Sequence, residues 1–287
     1  MKKIFILFGV IFCFFVTGCI KRDSMEDITI YTSVYPIEYI TNRLYGDNST
    51  IYSIYPDGVI TSVYTLNEKQ IKDYSKSDLF VFNGLSNEKD YLKTMLKSNS
   101  DLKIIDATSS MEFTSYQEEL WLDPSNALMI ARNIKSGFNE YISNHYLKEE
   151  IESNYNSLKV DLSNLSAKLN LVASSSDDPT IIISSDMFKF LENYGFTVIS
   201  LDENNTLTNK VISEVKNRIT NGSTKHIFIL KDEEVNSTIQ RIIDETGVET
   251  LEFHTLSNIN ENERNSRHDY VSISLENINL LKQELYK

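Results

Sequence analysis

Residues 148–172, KEEIESNYNSLKVDLSNLSAKLNLV, decide how this chain is organised. Ile151, Tyr155, Leu158, Leu162, Leu165, Leu169 and Val172 recur at steps of four and three, the spacing that keeps side chains on one helix face. At about 1.5 Å per residue the seam runs for roughly 32 Å. No proline or glycine interrupts it. A second helical stretch, 125–143, precedes it. A long packed helix would show the same seam. What makes this one read as a spine between two lobes is the pattern on either side.

Before the spine, short β-branched or apolar runs alternate with helical spacing. Strands are predicted at 28–34, 50–55, 78–82 and 102–105, with helices at 37–44, 67–76 and 88–97. Pro56-Asp57-Gly58 and Asn83-Gly84 mark turns. After the spine the logic repeats. Strands are predicted at 180–184, 197–201, 226–230 and 249–253, and helices at 186–194, 208–220, 234–246 and 271–285. Strands spaced by helices of this length make right-handed βαβ units on parallel sheets. The expected fold is therefore α/β: two lobes, each a mainly parallel sheet with flanking helices, joined by a long spine helix. The division reads 28–145 for the first lobe, 146–173 for the spine and 174–287 for the second lobe.

The N-terminus carries a different message. Lys2 and Lys3 precede an uncharged apolar run, residues 4–16, closed by Val16-Thr17-Gly18-Cys19. A positive start, a short apolar run and small residues describe an export signal. The run is too short to cross a bilayer core of about 30 Å comfortably. A cysteine directly after the small residues makes residues 1–18 a lipoprotein signal, Cys19 the lipidated anchor and 19–27 a polar tether. The expected location is extracytoplasmic, held at the membrane by acyl chains that contribute about 0.8 kcal/mol per buried CH₂.

Composition narrows the function. The only other cysteine, Cys13, leaves with the signal, so the mature chain has no disulfide, thiolate metal site or cysteine nucleophile. Loss of Lys2 and Lys3 takes the formal charge from −13 to −15, which repels nucleic acid and anionic lipid. About 268 residues remain, enough for two modest domains. Nine glycines and four prolines leave little room for long flexible linkers.

Several segments together resemble the metal-binding lipoproteins of bacterial ABC importers for zinc and manganese. Tyr55-Pro56-Asp57-Gly58 with Tyr64 is similar to that family's turn before its first ligand, and residues 77–84 to its strand ending in Asn-Gly. Trp121-Leu122-Asp123-Pro124-Ser125-Asn126, containing the only tryptophan, is the most specific match. Residues 188–196 resemble the helix after its third ligand, and Asp269-Tyr270 with Asn277 its C-terminal helix. The resemblance covers residues 28–287. It implies two α/β lobes on a long helix with Zn²⁺ or Mn²⁺ held in the cleft between them, a monomer, an ABC permease as partner and no enzymatic activity.

The family's ligands are typically three histidines and a carboxylate, and here the resemblance maps them onto weaker donors. The first position matches Ser62, six residues after Pro56. The second matches Glu119, two before Trp121. The third matches Ser185 or Ser184, and the fourth His254. Glu119 and His254 are the expected metal donors, with Asp186 or Asp57 as a third. Carboxylates, one imidazole and waters suit manganese or a weakly held zinc ion. His226, His145 and His268 read as structural or solvated residues. Two rival readings stand beside this one. Ser184 or Ser185 with Asp186 and His254 would compose a serine-nucleophile enzyme, but no nucleophile elbow is present. A relative that has lost metal binding would instead act as an adhesin or envelope interaction protein.

Overall fold

The computed structural model describes residues 25–111, 119–203 and 207–286. The export signal, Cys19 and most of the tether lie outside the described residues. Ahead of the spine the order is β1 (Ile28–Thr32), α1 (Tyr35–Tyr45), β2 (Ser49–Ser53), α2 (Glu68–Tyr74), β3 (Leu79–Phe82), α3 (Lys89–Ser98), β4 (Lys103–Asp106) and α4 (Pro124–Tyr141). The spine, α5, is one helix from His145 to Ser174, started by the Asn144 side chain, which accepts the Tyr146 N–H. Beyond it come β5 (Thr180–Ile183), a 3₁₀ segment (Asp186–Tyr194), β6 (Thr197–Ser200), α6 (Asn209–Thr220), β7 (His226–Leu230), α7 (Ser237–Thr246), β8 (Glu249–Phe253), α8 (Glu261–Asn265) and α9 (Tyr270–Leu285).

Both sheets are parallel and share one topology: β2-β1-β3-β4 in the first lobe, β6-β5-β7-β8 in the second. All four side chains of β3, and all four of β5, are buried. Burial on both faces explains why these central strands read as continuous apolar runs. In each sheet the strand order reverses beside the first strand, between β1 and β3 and between β5 and β7. Open α/β sheets bind ligands in the crevice at the carboxyl ends of strands at such a point.

The spine joins the lobes through a common core. Ile151, Leu158, Leu162, Leu165, Leu169 and Val172 are buried, and Tyr155 lies half-buried with the Lys135 ammonium 4.2 Å from its ring centroid. Helix α5 packs against α1 and α4 on the first-lobe side and against α9 and the 3₁₀ segment on the other. One apolar cluster accordingly runs from Ile30, Phe80 and Phe138 through Leu162 to Phe228 and Phe253. A smaller one, with Ile182, Val215, Ile227 and Ile242, fills the space beneath α6 and α7. Helix α4 lies so close to β4 that a Cβ on Gly137 would sit 2.7 Å from Ile105 Cγ1, which accounts for a glycine inside a helix.

Residues 186–194, expected as an α-helix, form 3₁₀ turns instead. Phe188, Leu191 and Tyr194 are its buried side chains, a repeat of three that matches three residues per turn. Among the described residues no helix is long and apolar enough to cross a membrane.

Candidate metal cleft

Three cavities open at the carboxyl ends of the strands. The first, of about 380 Å³, belongs to the first lobe and is lined by Ser62, Glu119, Glu88 and the rings of Tyr55, Tyr64, Tyr91 and Trp121. The second, about 370 Å³, holds His254, Glu263, Lys231, Asp232 and Glu233, with Val59 and Ile60 as part of its wall. The third, about 290 Å³, is lined by Ser184, Ser185, Asp202, Glu203, Glu233 and Glu234. Ser62 and Glu119 are thus brought together, while His254 lies in another cavity. Segment 58–62 runs between them: Val59 and Ile60 face the His254 cavity, and Thr61 and Ser62 face the Glu119 cavity.

The segment is held in that place by the second lobe. The Gly58 N–H donates to the Ile259 carbonyl at 2.8 Å. Asn258 Nδ2 donates to the carbonyls of Pro56 and Val59 at 2.8 and 3.0 Å. Nearby, Trp121 Nε1 donates to the Thr255 carbonyl at 3.0 Å, and Tyr35 N–H to that of Ser257 at 3.2 Å. Gly58 has φ +78°, a left-handed backbone that a side chain would strain.

His254 directly follows the last residue of β8, but both of its ring nitrogens are engaged. Nδ1 accepts the Leu256 N–H at 2.9 Å, which puts the ring proton on Nε2, facing Glu263 Oε1 at 3.3 Å. Leu256 has φ +61°, the turn that aims its N–H back at the ring. A metal on Nε2 would force the proton onto Nδ1, opposite that N–H donor. Ligation therefore requires the Leu256 bond to break. The His254 backbone is pinned on both sides by Asn277, at 3.0 and 2.9 Å.

Glu263 also pairs with the Lys231 ammonium, and its Oε2 accepts the Asn260 N–H at 2.8 Å in a capping box that starts α8. Burial raises the Glu263 carboxyl, but the Lys231 and Asn260 hydrogen bonds bring it below the usual range. Burial lowers the His254 pKa, more than the Glu263 charge raises it. The folded state thus disfavours the protonated ring relative to the unfolded chain. The contribution of His254 to stability is full above the unfolded value of about 6.5 and is lost as pH falls through the lower folded value. Thermal melts should show the wild type losing stability on acidification more steeply than His254→Asn, whose amide oxygen still accepts from Leu256. Parallel pH profiles would refute this.

Asp186 is tied up locally. Its carboxylate accepts from Lys189 Nζ at 2.7 Å and Ser200 Oγ at 2.5 Å, and it lines none of the three cavities. Ser185 Oγ caps the 3₁₀ segment by accepting the Met187 N–H at 3.3 Å. Asp57 lies in an ion pair with Arg264 at 2.7 Å. Among the described residues no three His, Cys, Asp or Glu side chains converge as an ion would need. Ser184 and Ser185 share no cavity with His254, so the serine-nucleophile constellation is not assembled. Sequence reasoning missed Glu263, the buried Glu88 and Arg264. The Asn260-x-x-Glu263 spacing was the available signal for the first, since it is a capping-box pattern.

Residues 30–284 match the family described as ZnuA, zinc-uptake complex component A, periplasmic. A putative metal-binding protein of Chlamydia trachomatis is 22% identical over 234 residues, covering 79% of this chain and 84% of its own. The Zn(II)-bound ZnuA-like domain of Streptococcus pneumoniae AdcA superposes with a TM-score of 0.74 at 18% identity, over 91% of this chain and 100% of that domain. The metal-dependent lipoprotein YcdH of Bacillus subtilis gives 0.76 at 20% identity, with coverages of 91% and 100%. At such identities these structures establish a common two-lobe fold.

Proposed function

The chain belongs to the ZnuA family of periplasmic zinc-uptake components, and from that membership we propose that it captures a divalent metal cargo outside the cytoplasm and delivers it to an ABC permease. The family is one of metal-binding solute-binding proteins, not of enzymes. The observation that carries the reading is the family match along residues 30–284, on two sheets of identical strand order. In this reading Cys19 carries the lipid anchor, 19–27 the tether, and residues 146–173 the spine between lobes 28–145 and 174–287. The protein works as a monomer.

Zinc or manganese is the cargo, and Glu119 and His254 are its donors, one from each side of segment 58–62. Ser62 and Ser185 contribute at most neutral hydroxyls. Asp186, held by Lys189, is the weakest candidate for a third donor. A site of this kind binds less tightly than a closed set of imidazoles, and more weakly in acid, since imidazole must be neutral to ligate. Calorimetry on chelator-stripped protein should show zinc or manganese binding in the micromolar range. Glu119→Ala and His254→Ala should each weaken it by about tenfold or more. If neither ion binds at that level, the reading is overturned. The engaged nitrogens of His254 would then favour a second one, a relative that has lost its metal and acts at the envelope as an adhesin or interaction protein.

A further inference from the structure

Glu263 and Arg264 are neighbours on α8, and they act on different parts of the cleft. Glu263 faces the His254 ring, whereas Arg264 reaches across to the first lobe. Its Nε and Nη2 donate to the two Asp57 oxygens, each at 2.7 Å. Nη1 and Nη2 donate to the Glu38 oxygens at 2.8 and 3.2 Å. Its Cζ lies 5.8 Å from the Tyr35 ring centroid. A planar guanidinium that grips two carboxylates with paired bonds is far more selective in geometry than an ordinary surface ion pair. Asp57 directly precedes segment 58–62, whose Val59 and Ile60 line the His254 cavity and whose end, Ser62, faces Glu119.

We propose that Arg264 is a positioning residue that latches segment 56–62 of the first lobe onto the second, and that cargo joins the Glu119 cavity to His254 only when the latch opens. Helix α8 couples the two events. It is five residues long and fixed at its start by the Asn260–Glu263 capping box. A shift that frees Asp57 from Arg264 also moves Glu263, the partner of His254 Nε2. The consequence for cargo rests on the metal-capture reading above, whereas the latch itself does not.

The test uses the full mature chain and hydrogen exchange with zinc as the probe. The Gly58 N–H, bonded to Ile259, reports on the latch. In Arg264→Gln it should exchange about tenfold faster or more, with amides of the buried strand β3 unchanged. Arg264→Lys should fall between, since an ammonium cannot hold both carboxylates through paired bonds. Zinc association, followed by stopped flow, should be faster in Arg264→Gln than in wild type. Should Arg264→Gln fail to fold, Asp57→Asn, which leaves Glu38 on the guanidinium, carries the same measurement. Unchanged Gly58 exchange overturns the latch. Faster exchange without faster zinc association overturns its coupling to cargo. Faster exchange in a protein that takes up no zinc in either form supports the latch and counts against metal capture.

Discussion

Replacing Leu162 by proline is expected to abolish folding of both lobes together, because that residue sits at the middle of the one helix around which they share a core. Leu162 is 1% exposed, and its neighbours on the seam, Leu158 and Leu165, are equally buried. An interior proline removes a backbone hydrogen bond and clashes with the preceding turn, at about 3 kcal/mol or more. Loss of the leucine side chain adds about 2–5 kcal/mol. The total rivals the whole stability of a typical domain, roughly 5–15 kcal/mol. Circular dichroism should show the helical signal and the tertiary aromatic signal lost in one step. Leu171→Ala provides the control: on the same helix but 61% exposed, it should change stability by about 0.5 kcal/mol or less. A Leu162→Pro protein with one lobe still melting cooperatively would disprove the shared core.

The spine was legible because apolar steps of four and three, sustained from Ile151 to Val172, keep every one of those side chains on a single helix face and suit no strand. The strands were legible for a related reason. A buried parallel strand needs β-branched or aromatic residues on both faces, and Leu79-Phe80-Val81-Phe82 and Thr180-Ile181-Ile182-Ile183 supply them. Local detail was harder. The repeat of three in Phe188, Leu191 and Tyr194 marks 3₁₀ turns, yet over nine residues it passes for an α-helical face. Helix α8 is too short to show any period at all.

The cleft was only half legible, and the reason is physical. Residue types identify potential donors, but not whether their lone pairs are already in use. The left-handed turn at Leu256 consumes His254 Nδ1, and Lys189 consumes a carboxylate oxygen of Asp186. Nor does sequence reveal that Asp57 meets Arg264, 207 positions away. Contacts across the cleft are set by how two lobes close, and no local pattern encodes that.

Asp123→Ala should be strongly destabilising although it removes no apolar core, because this carboxylate has three partners and serves both lobes. It is 5% exposed and caps α4 by accepting the Ser125 N–H at 2.8 Å, just ahead of Pro124 at the first helical position. The same oxygen accepts the Tyr194 hydroxyl at 2.5 Å, and the other accepts Asn193 Nδ2 at 3.3 Å, both from the second-lobe 3₁₀ segment. Losing a cap costs about 0.5–2 kcal/mol, and a hydrogen bond to a charged group about 1.5–3 kcal/mol. The Tyr194 hydroxyl keeps Ser125 and Ser166 at 3.2 and 3.4 Å, which limits its desolvation penalty. A net loss of about 2–4 kcal/mol follows, or a melting temperature lower by about 5–15 °C. Asp123→Asn retains an acceptor for both Ser125 and Tyr194 and should lose less than half as much. Tyr194→Phe should cost about 1.5–3 kcal/mol alone, as the loss of a hydrogen bond to a charged group, and clearly less in the Asp123→Ala background. If the double mutant instead shows additive losses, the carboxylate acts only as a helix cap, and Asp123 does not tie the second-lobe 3₁₀ segment to the first lobe.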